Sequence, residues 1–179
     1  PCERPFSSLF DPLVAGFLDR KVGKTLRDVF GGRPHLYISG GAALSPAVSK
    51  IFCALGIPVM QGYGMTETSP VIAVNRQDWN HPSTVGPLVS NLEGRLSEDG
   101  ELQVRGPSVM KGYWNRPDAT KEIFTADGWL RTGDVCEIYD DGYIRITGRI
   151  KEIIVTSTGE KVPPADLEAA VEAFMYKPR

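Results

Sequence analysis

The sequence lacks an excess of either charge: 20 Lys and Arg stand against 22 Asp and Glu, a formal net charge of -2. No basic surplus argues for nucleic acid or an anionic membrane as the partner. Cysteine is scarce, and Cys2, Cys53 and Cys136 are odd in number, widely separated and in no metal-ligand spacing. They are expected to be reduced thiols in a cytoplasmic type of compartment. No apolar run reaches the length of a membrane span, and no signal-peptide pattern opens the chain. Neither GxxxxGK[ST] nor GxGxxG occurs, which excludes the Walker and dinucleotide fingerprints. Internal repeats and low-complexity segments are also missing.

What remains is an ordinary globular composition, 41% hydrophobic and 23% charged over 179 residues. Across residues 9–30 apolar side chains (Leu13, Val14, Phe17, Leu18, Val22, Leu26, Val29) recur at helical spacing, and Gly31-Gly32 supplies a stop. Residues 35–38 then read as a strand, 39–42 as a glycine turn, 46–55 as a helix and 58–60 as a second strand. Strand, helix, strand at this distance predicts parallel pairing in an α/β layer.

After about residue 75 the pattern becomes short alternating runs at 100–106, 135–139 and 143–147, with Asp141-Gly142 as a hairpin turn. A strand at 153–155 and a helix opened by Pro163-Pro164, with Leu167, Ala170, Val171 and Phe174 on its apolar face, close the sequence. The expected fold class is α/β plus β. Residues 1–78 form part of an α/β layered subdomain, 79–150 a small antiparallel β-barrel-like subdomain, and 151–179 the first elements of a C-terminal α+β domain.

Two glycine-flanked stretches, SGGA at 39–42 and QGYG at 61–64, follow neighbouring strands and so are expected side by side at one sheet edge. QGYGMTETSP reads either as an ordinary turn or as a ligand loop beyond the carboxyl end of a strand. Missing side chains at Gly40, Gly41, Gly62 and Gly64 would let backbone approach a flat ring, and Tyr63 could stack on it. The Thr66 and Thr68 hydroxyls can donate to phosphate. Glu67 beside a phosphate makes sense chiefly through a hard cation such as Mg²⁺. Asp134, at the start of a strand, could accept two sugar hydroxyls, and Arg149 could pair with sugar oxygens or a phosphate; a solvated acid and a surface arginine are the plainer readings of each. His35 and His81 have no identifiable partner and are read as structural, and Trp79, Trp114 and Trp129 as packing residues.

The order and letters of QGYGMTET, GELQVRGPSVMKGYWNRPDAT, DGWLRTGD and GYIRITGRIKEIIVTSTGEKVPPADLE resemble the successive core motifs of the adenylate-forming superfamily, which includes acyl-CoA synthetases, nonribosomal adenylation domains and firefly luciferase. The final motif is most similar in style to long-chain fatty acyl-CoA synthetases. The resemblance implies that Gly40, Gly41 and Ala42 line the adenine and acyl pocket, with Gly62, Tyr63 and Gly64 at the adenine. It further implies that Thr66 holds the α-phosphate, Glu67 the Mg²⁺, and Asp134 and Arg149 the ribose. Lys151 falls at the family's hinge position, and Gly159 in the loop that faces the CoA pantetheine tunnel.

The implied chemistry joins a fatty acid to CoA through an acyl-adenylate, with ATP consumed and AMP and pyrophosphate released. The family's phosphate loop ending in Pro-Lys-Gly and its C-terminal catalytic lysine match nothing in this sequence. The chain is therefore expected to be an internal segment that is inactive by itself. An aryl or amino-acid adenylating relative, or a non-catalytic nucleotide-binding module on the same scaffold, is the alternative.

Overall fold

The computed structural model describes residues 19–33, 35–55, 57–152, 154–155, 161–162 and the positions 164, 167 and 171. These divide into two compact units. The first holds the described residues through Thr66 together with Pro70–Val89, and the second holds Glu67–Ser69 and the described residues from Ser90 onward.

Of the helical pattern expected across 9–30, residues 9–18, with Leu13, Val14, Phe17 and Leu18, lie outside the described residues, and the rest is seen in the first unit. It takes two short pieces, a π-type turn over Asp19–Gly23 and helix α1 over Lys24–Val29. Gly23 at their junction weakens a continuous helix, since glycine costs about 1 kcal/mol against alanine there. The Gly32 amide donates to Arg27 O at 2.7 Å and ends α1. Arg27 Nη1 reaches Leu55 O at 2.7 Å, and Phe30 packs edge-to-face on Tyr37 and Phe52, with ring centroids 5.3 and 5.8 Å apart.

Strand β1 (Tyr37–Ser39), helix α2 (Pro46–Ala54) with Pro46 in its first turn, and strand β2 (Val59–Gly64) form the expected crossover. β1 and β2 pair in parallel, with Tyr37 opposite Val59 and Ser39 opposite Gln61.

Gln61–Gly64, expected within a turn, instead continues β2. The apolar run β3 (Val71–Val74) folds back antiparallel on it, with Gly62 opposite Val74, Tyr63 opposite Ala73, and an irregular register at Tyr63/Gly64. Those backbone groups therefore have ladder partners, and the reversal moves on to a 3₁₀ turn at Thr66–Thr68. The short β4 (Gly86–Pro87) follows, and Val89 N donates to Ile72 O at 3.0 Å. Ile57, Met60, Ile72, Ala73 and Val85 are among the buried apolar residues of this unit.

The second unit is an antiparallel meander of β5 (Glu93–Leu96), β6 (Glu101–Arg105), β7 (Leu130–Ile138) and β8 (Tyr143–Arg149), paired in that order. Leu102, Val104, Leu130 and Ile144 have no exposed surface and form its core. Asp141-Gly142 makes the expected hairpin: Tyr139 N donates to Tyr143 O at 2.9 Å, and Asp141 Oδ1 accepts from Tyr143 N at 3.1 Å.

Among the described residues no barrel closes, against the barrel-like expectation. Sheets usually need more strands than this short meander supplies before strand tilt brings the edges together. Helix α3 (Pro117–Ile123), which the sequence reading missed, packs against β7. The guanidinium carbons of Arg95 and Arg105 each lie over the Trp129 ring, 4.6 Å from its centre, and Arg95 makes a two-pronged ion pair with Asp127. Trp129 is thus a packing residue as expected. Trp79 is 54% exposed, and Trp114, 90% exposed, is not a packing residue.

Beyond β8, β9 (Ile154–Val155) pairs antiparallel with β10 (Lys161–Val162), and Pro164, Leu167 and Val171 are helical. Ile153, Gly159, Ala170 and Phe174 lie outside the described residues. Among the described residues no helix is long and apolar enough to cross a membrane.

Cys53 is disulfide-bonded, against the expectation of three reduced thiols; separation along the sequence does not set separation in a fold. Cys136 is free and buried, and burial, with the Asp134 charge beside it, pushes its thiol up to about 12. Because the thiolate is the reactive form, Cys136 is expected to resist a thiol-specific disulfide reagent at pH 8 while the chain is folded. Labelling should begin only with denaturant, which mass spectrometry of the modified peptide would read.

Candidate functional site

In the first unit β1 and β2 bring the two glycine stretches together. A Cβ built on Gly40 would lie 3.4 Å from Gly62 O, and one on Gly62 3.3 Å from Ile38 Cγ2. Gly40, Gly41 and Ala42 are exposed beyond the end of β1. Tyr63 sits opposite Ala73 on the paired strands. At Gly64 the chain passes so close to the returning segment that a Cβ would fall 1.8 Å from Pro70 O, so glycine alone fits. Met65 N donates to Pro70 O at 2.8 Å and closes the loop that carries Thr66. Thr66 is exposed.

In the second unit Glu67 is half-buried, and its neighbour Thr68 is fully buried. Glu67 is held at two points. Met110 N donates to its backbone oxygen at 2.8 Å, and the Tyr113 hydroxyl donates to Oε1 at 2.6 Å. Hydrogen bonding to that carboxylate, with burial and its charge adding, raises the Tyr113 phenol to about 12, so it stays a donor at physiological pH.

The Asp134 side chain is 8% exposed, and its Oδ1 accepts from Arg149 Nε at 2.8 Å across the β7–β8 ladder, where the two residues stand opposite each other. The backbone around Asp134 is tied down. Its amide donates to Thr132 Oγ1 at 3.1 Å, Thr132 Oγ1 donates to Leu102 O at 2.7 Å, and Gly133 N donates to Glu101 Oε1 at 3.0 Å. Lys151 is exposed in the turn after β8. A cavity of about 650 Å³ borders this region, lined among others by Glu101, Tyr113, Arg131, Gly133, Arg149 and Lys151. Of the residues given a binding or hinge role in the sequence, Gly159 falls outside the described residues, as does Cys2 among the cysteines.

Glu101 and Tyr113 were missed by sequence reasoning. A signal existed for Glu101: it opens β6, whose first four residues are all buried, and a carboxylate among buried strand positions calls for a partner. Tyr113 gave none, since its contact with Glu67 spans 46 residues. Replacing Glu101 with Ala is expected to lower the stability of the second unit toward the low end of about 1–3 kcal/mol, because the Gly133 amide loses its acceptor. Glu101→Gln, which keeps an acceptor, should recover most of that in a thermal melt.

Among the described residues no group of three or more His, Cys, Asp or Glu could enclose a metal ion. Glu67 as a single carboxylate nevertheless suits Mg²⁺, which keeps several waters and is commonly held by one or two carboxylates plus substrate phosphates. Tyr113 occupies Oε1 and leaves Oε2 for such an ion.

The AMP-binding enzyme family matches residues 7–114. The long-chain-fatty-acid–CoA ligase FadD15 of Mycobacterium bovis is 40% identical over 172 residues, covering 96% of this chain and 28% of that protein. Among solved structures, a malonyl-CoA ligase in a ternary product complex with methylmalonyl-CoA and AMP is 38% identical, with a TM-score of 0.62, over 88% of this chain and 36% of that one. The O-succinylbenzoate–CoA synthetase of Bacillus subtilis, in complex with ATP and magnesium ion, is 26% identical, with a TM-score of 0.72, over 91% of this chain and 35% of that one. The chain spans under a third of the length of the curated relatives it matches.

Proposed function

Since the chain belongs to the AMP-binding enzyme family, we propose that it supplies part of the nucleotide site of an acyl-CoA synthetase acting on a long-chain fatty acid. In that reaction a fatty-acid carboxylate oxygen attacks the α-phosphorus of ATP, and the bond to pyrophosphate breaks. The CoA sulfur, its proton lost, then attacks the acyl carbon, and AMP leaves with the electron pair of the broken C–O bond. Little covalent chemistry falls to the protein, so positioning and charge neutralisation dominate.

The observation that carries the reading is the Asp134 carboxylate, buried, held by Arg149 and set on a backbone fixed by Thr132 and Glu101. A rigid acceptor of this kind suits the ribose hydroxyls, with Arg149 beside it. Gly40, Gly41, Ala42, Gly62 and Gly64 give room for the adenine, Tyr63 stacks on it, and Thr66 donates to the α-phosphate. Glu67 would hold Mg²⁺, whose chemistry is to neutralise charge on the phosphates. Lys151 is the hinge to a small domain from residue 151 on, and residues 1–78 and 79–150 are parts of the large one. A long acyl chain is favoured by the 40% identity to a long-chain ligase over nearly the whole chain. The Cys53 disulfide is at odds with the reducing cytoplasm that three free thiols would have indicated.

Isothermal titration of the chain with a non-hydrolysable long-chain acyl-adenylate and Mg²⁺ tests the nucleotide part. Saturable binding that AMP displaces supports it, and no binding by a folded chain overturns a preformed site here. Pyrophosphate release by the longer protein, compared for long-chain, aromatic and amino acids, tests the substrate class.

A further inference from the structure

Glu67 has a flexible side chain, yet the loop over residues 106–117 meets it from two directions. Met110 N binds its backbone oxygen and Tyr113 Oη its carboxylate, at 2.8 and 2.6 Å. The loop is itself braced. Tyr113 N donates to Thr120 Oγ1 at 2.9 Å, and that hydroxyl donates on to Arg116 O at 2.9 Å, so the tyrosine is tied to the first turn of α3. Gly112, with φ +146, makes the bend that lets Met110 and Tyr113 reach the same residue; a Cβ there would meet Thr120 Cγ2 at 2.6 Å.

We propose that Tyr113 is a positioning residue for Glu67, its phenol pinning Oε1 so that Oε2 is presented to the cation that accompanies the nucleotide. A hydrogen bond to a carboxylate is roughly twice as strong as one between neutral groups, and it removes rotamer freedom the free side chain would lose on binding a metal. Partners of this outer kind typically govern about 10–100-fold of metal affinity. The inference rests on the reading of Glu67 as the metal residue.

The test uses Mn²⁺, visible by paramagnetic resonance, as the stand-in for Mg²⁺, with a non-hydrolysable ATP analogue and the 179-residue chain. Analogue affinity is measured with EDTA and with Mn²⁺ for the wild type, Tyr113→Phe and Glu67→Gln. Phenylalanine keeps the ring, and Tyr113 is 37% exposed, so the fold should survive, as a thermal melt will verify. The expected result is that Tyr113→Phe loses about tenfold of the gain in affinity that Mn²⁺ confers and leaves the EDTA value unchanged. A full Mn²⁺ gain in Tyr113→Phe, or an equal loss with and without metal, overturns the positioning role and spares the reading of Glu67. No Mn²⁺ gain in the wild type, or an unchanged gain in Glu67→Gln, overturns both.

Discussion

Gly64→Ala is expected to destabilise the first unit by about 3 kcal/mol or more, at or beyond the upper end of ordinary overpacking. The new Cβ would lie 1.8 Å from Pro70 O, 2.8 Å from Pro70 C and 2.9 Å from Val71 Cα. All three atoms are backbone, so no side-chain rotation relieves the clash. The strand would have to separate from β3, which breaks the Met65 N to Pro70 O bond and uncovers the irregular register at Tyr63/Gly64. Thermal denaturation gives the size of the effect, and hydrogen exchange at the Met65 amide gives its place. Gly40→Ala is the control, since its Cβ would meet Gly62 O at an ordinary 3.4 Å. Such a substitution should shift stability by no more than about 0.5 kcal/mol. If Gly64→Ala melts like the wild type, the close crossing at Pro70 does not constrain the loop that carries Thr66.

Features set by local chemistry could be read from the sequence. Pro46 announced α2, and Asp141-Gly142 announced the hairpin that places β8 on β7. α3 carried the same class of signal, Pro117 in the first turn with Asp118 beside it, but its seven residues are too few for a clear apolar period. β3 was missed because its four residues follow a proline and earn their strand only by pairing with β2. Within the site, Asp134 and Arg149 lie fifteen residues apart on one hairpin, so the turn carries most of the information about their approach. The Tyr113 contact to Glu67 closes a loop of 46 residues, and neither period nor turn chemistry encodes it. Trp114, 90% exposed, shows the opposite failure: its size argued for packing, and its place on a loop beside Asn115, with φ 51, keeps it in solvent.

Asp134→Ala is expected to weaken AMP binding by about 3 kcal/mol, roughly a hundredfold, if two ribose hydroxyls donate to this carboxylate, because hydrogen bonds to a charged group are each worth about 1.5–3 kcal/mol. The same change should cost the fold little. The Arg149 side chain is 59% exposed, so losing Asp134 returns the guanidinium to water rather than stranding it. The reverse substitution differs, because Asp134 is only 8% exposed and Arg149→Ala takes a cation from a carboxylate that water scarcely reaches. Arg149→Ala should therefore lower the melting temperature of the second unit more than Asp134→Ala, while Asp134→Ala should lower AMP affinity more. Calorimetric titration and thermal melts of the two variants separate the contributions. Affinity kept in Asp134→Ala with stability lost would make the pair a structural tie between β7 and β8, and the ribose would need another acceptor.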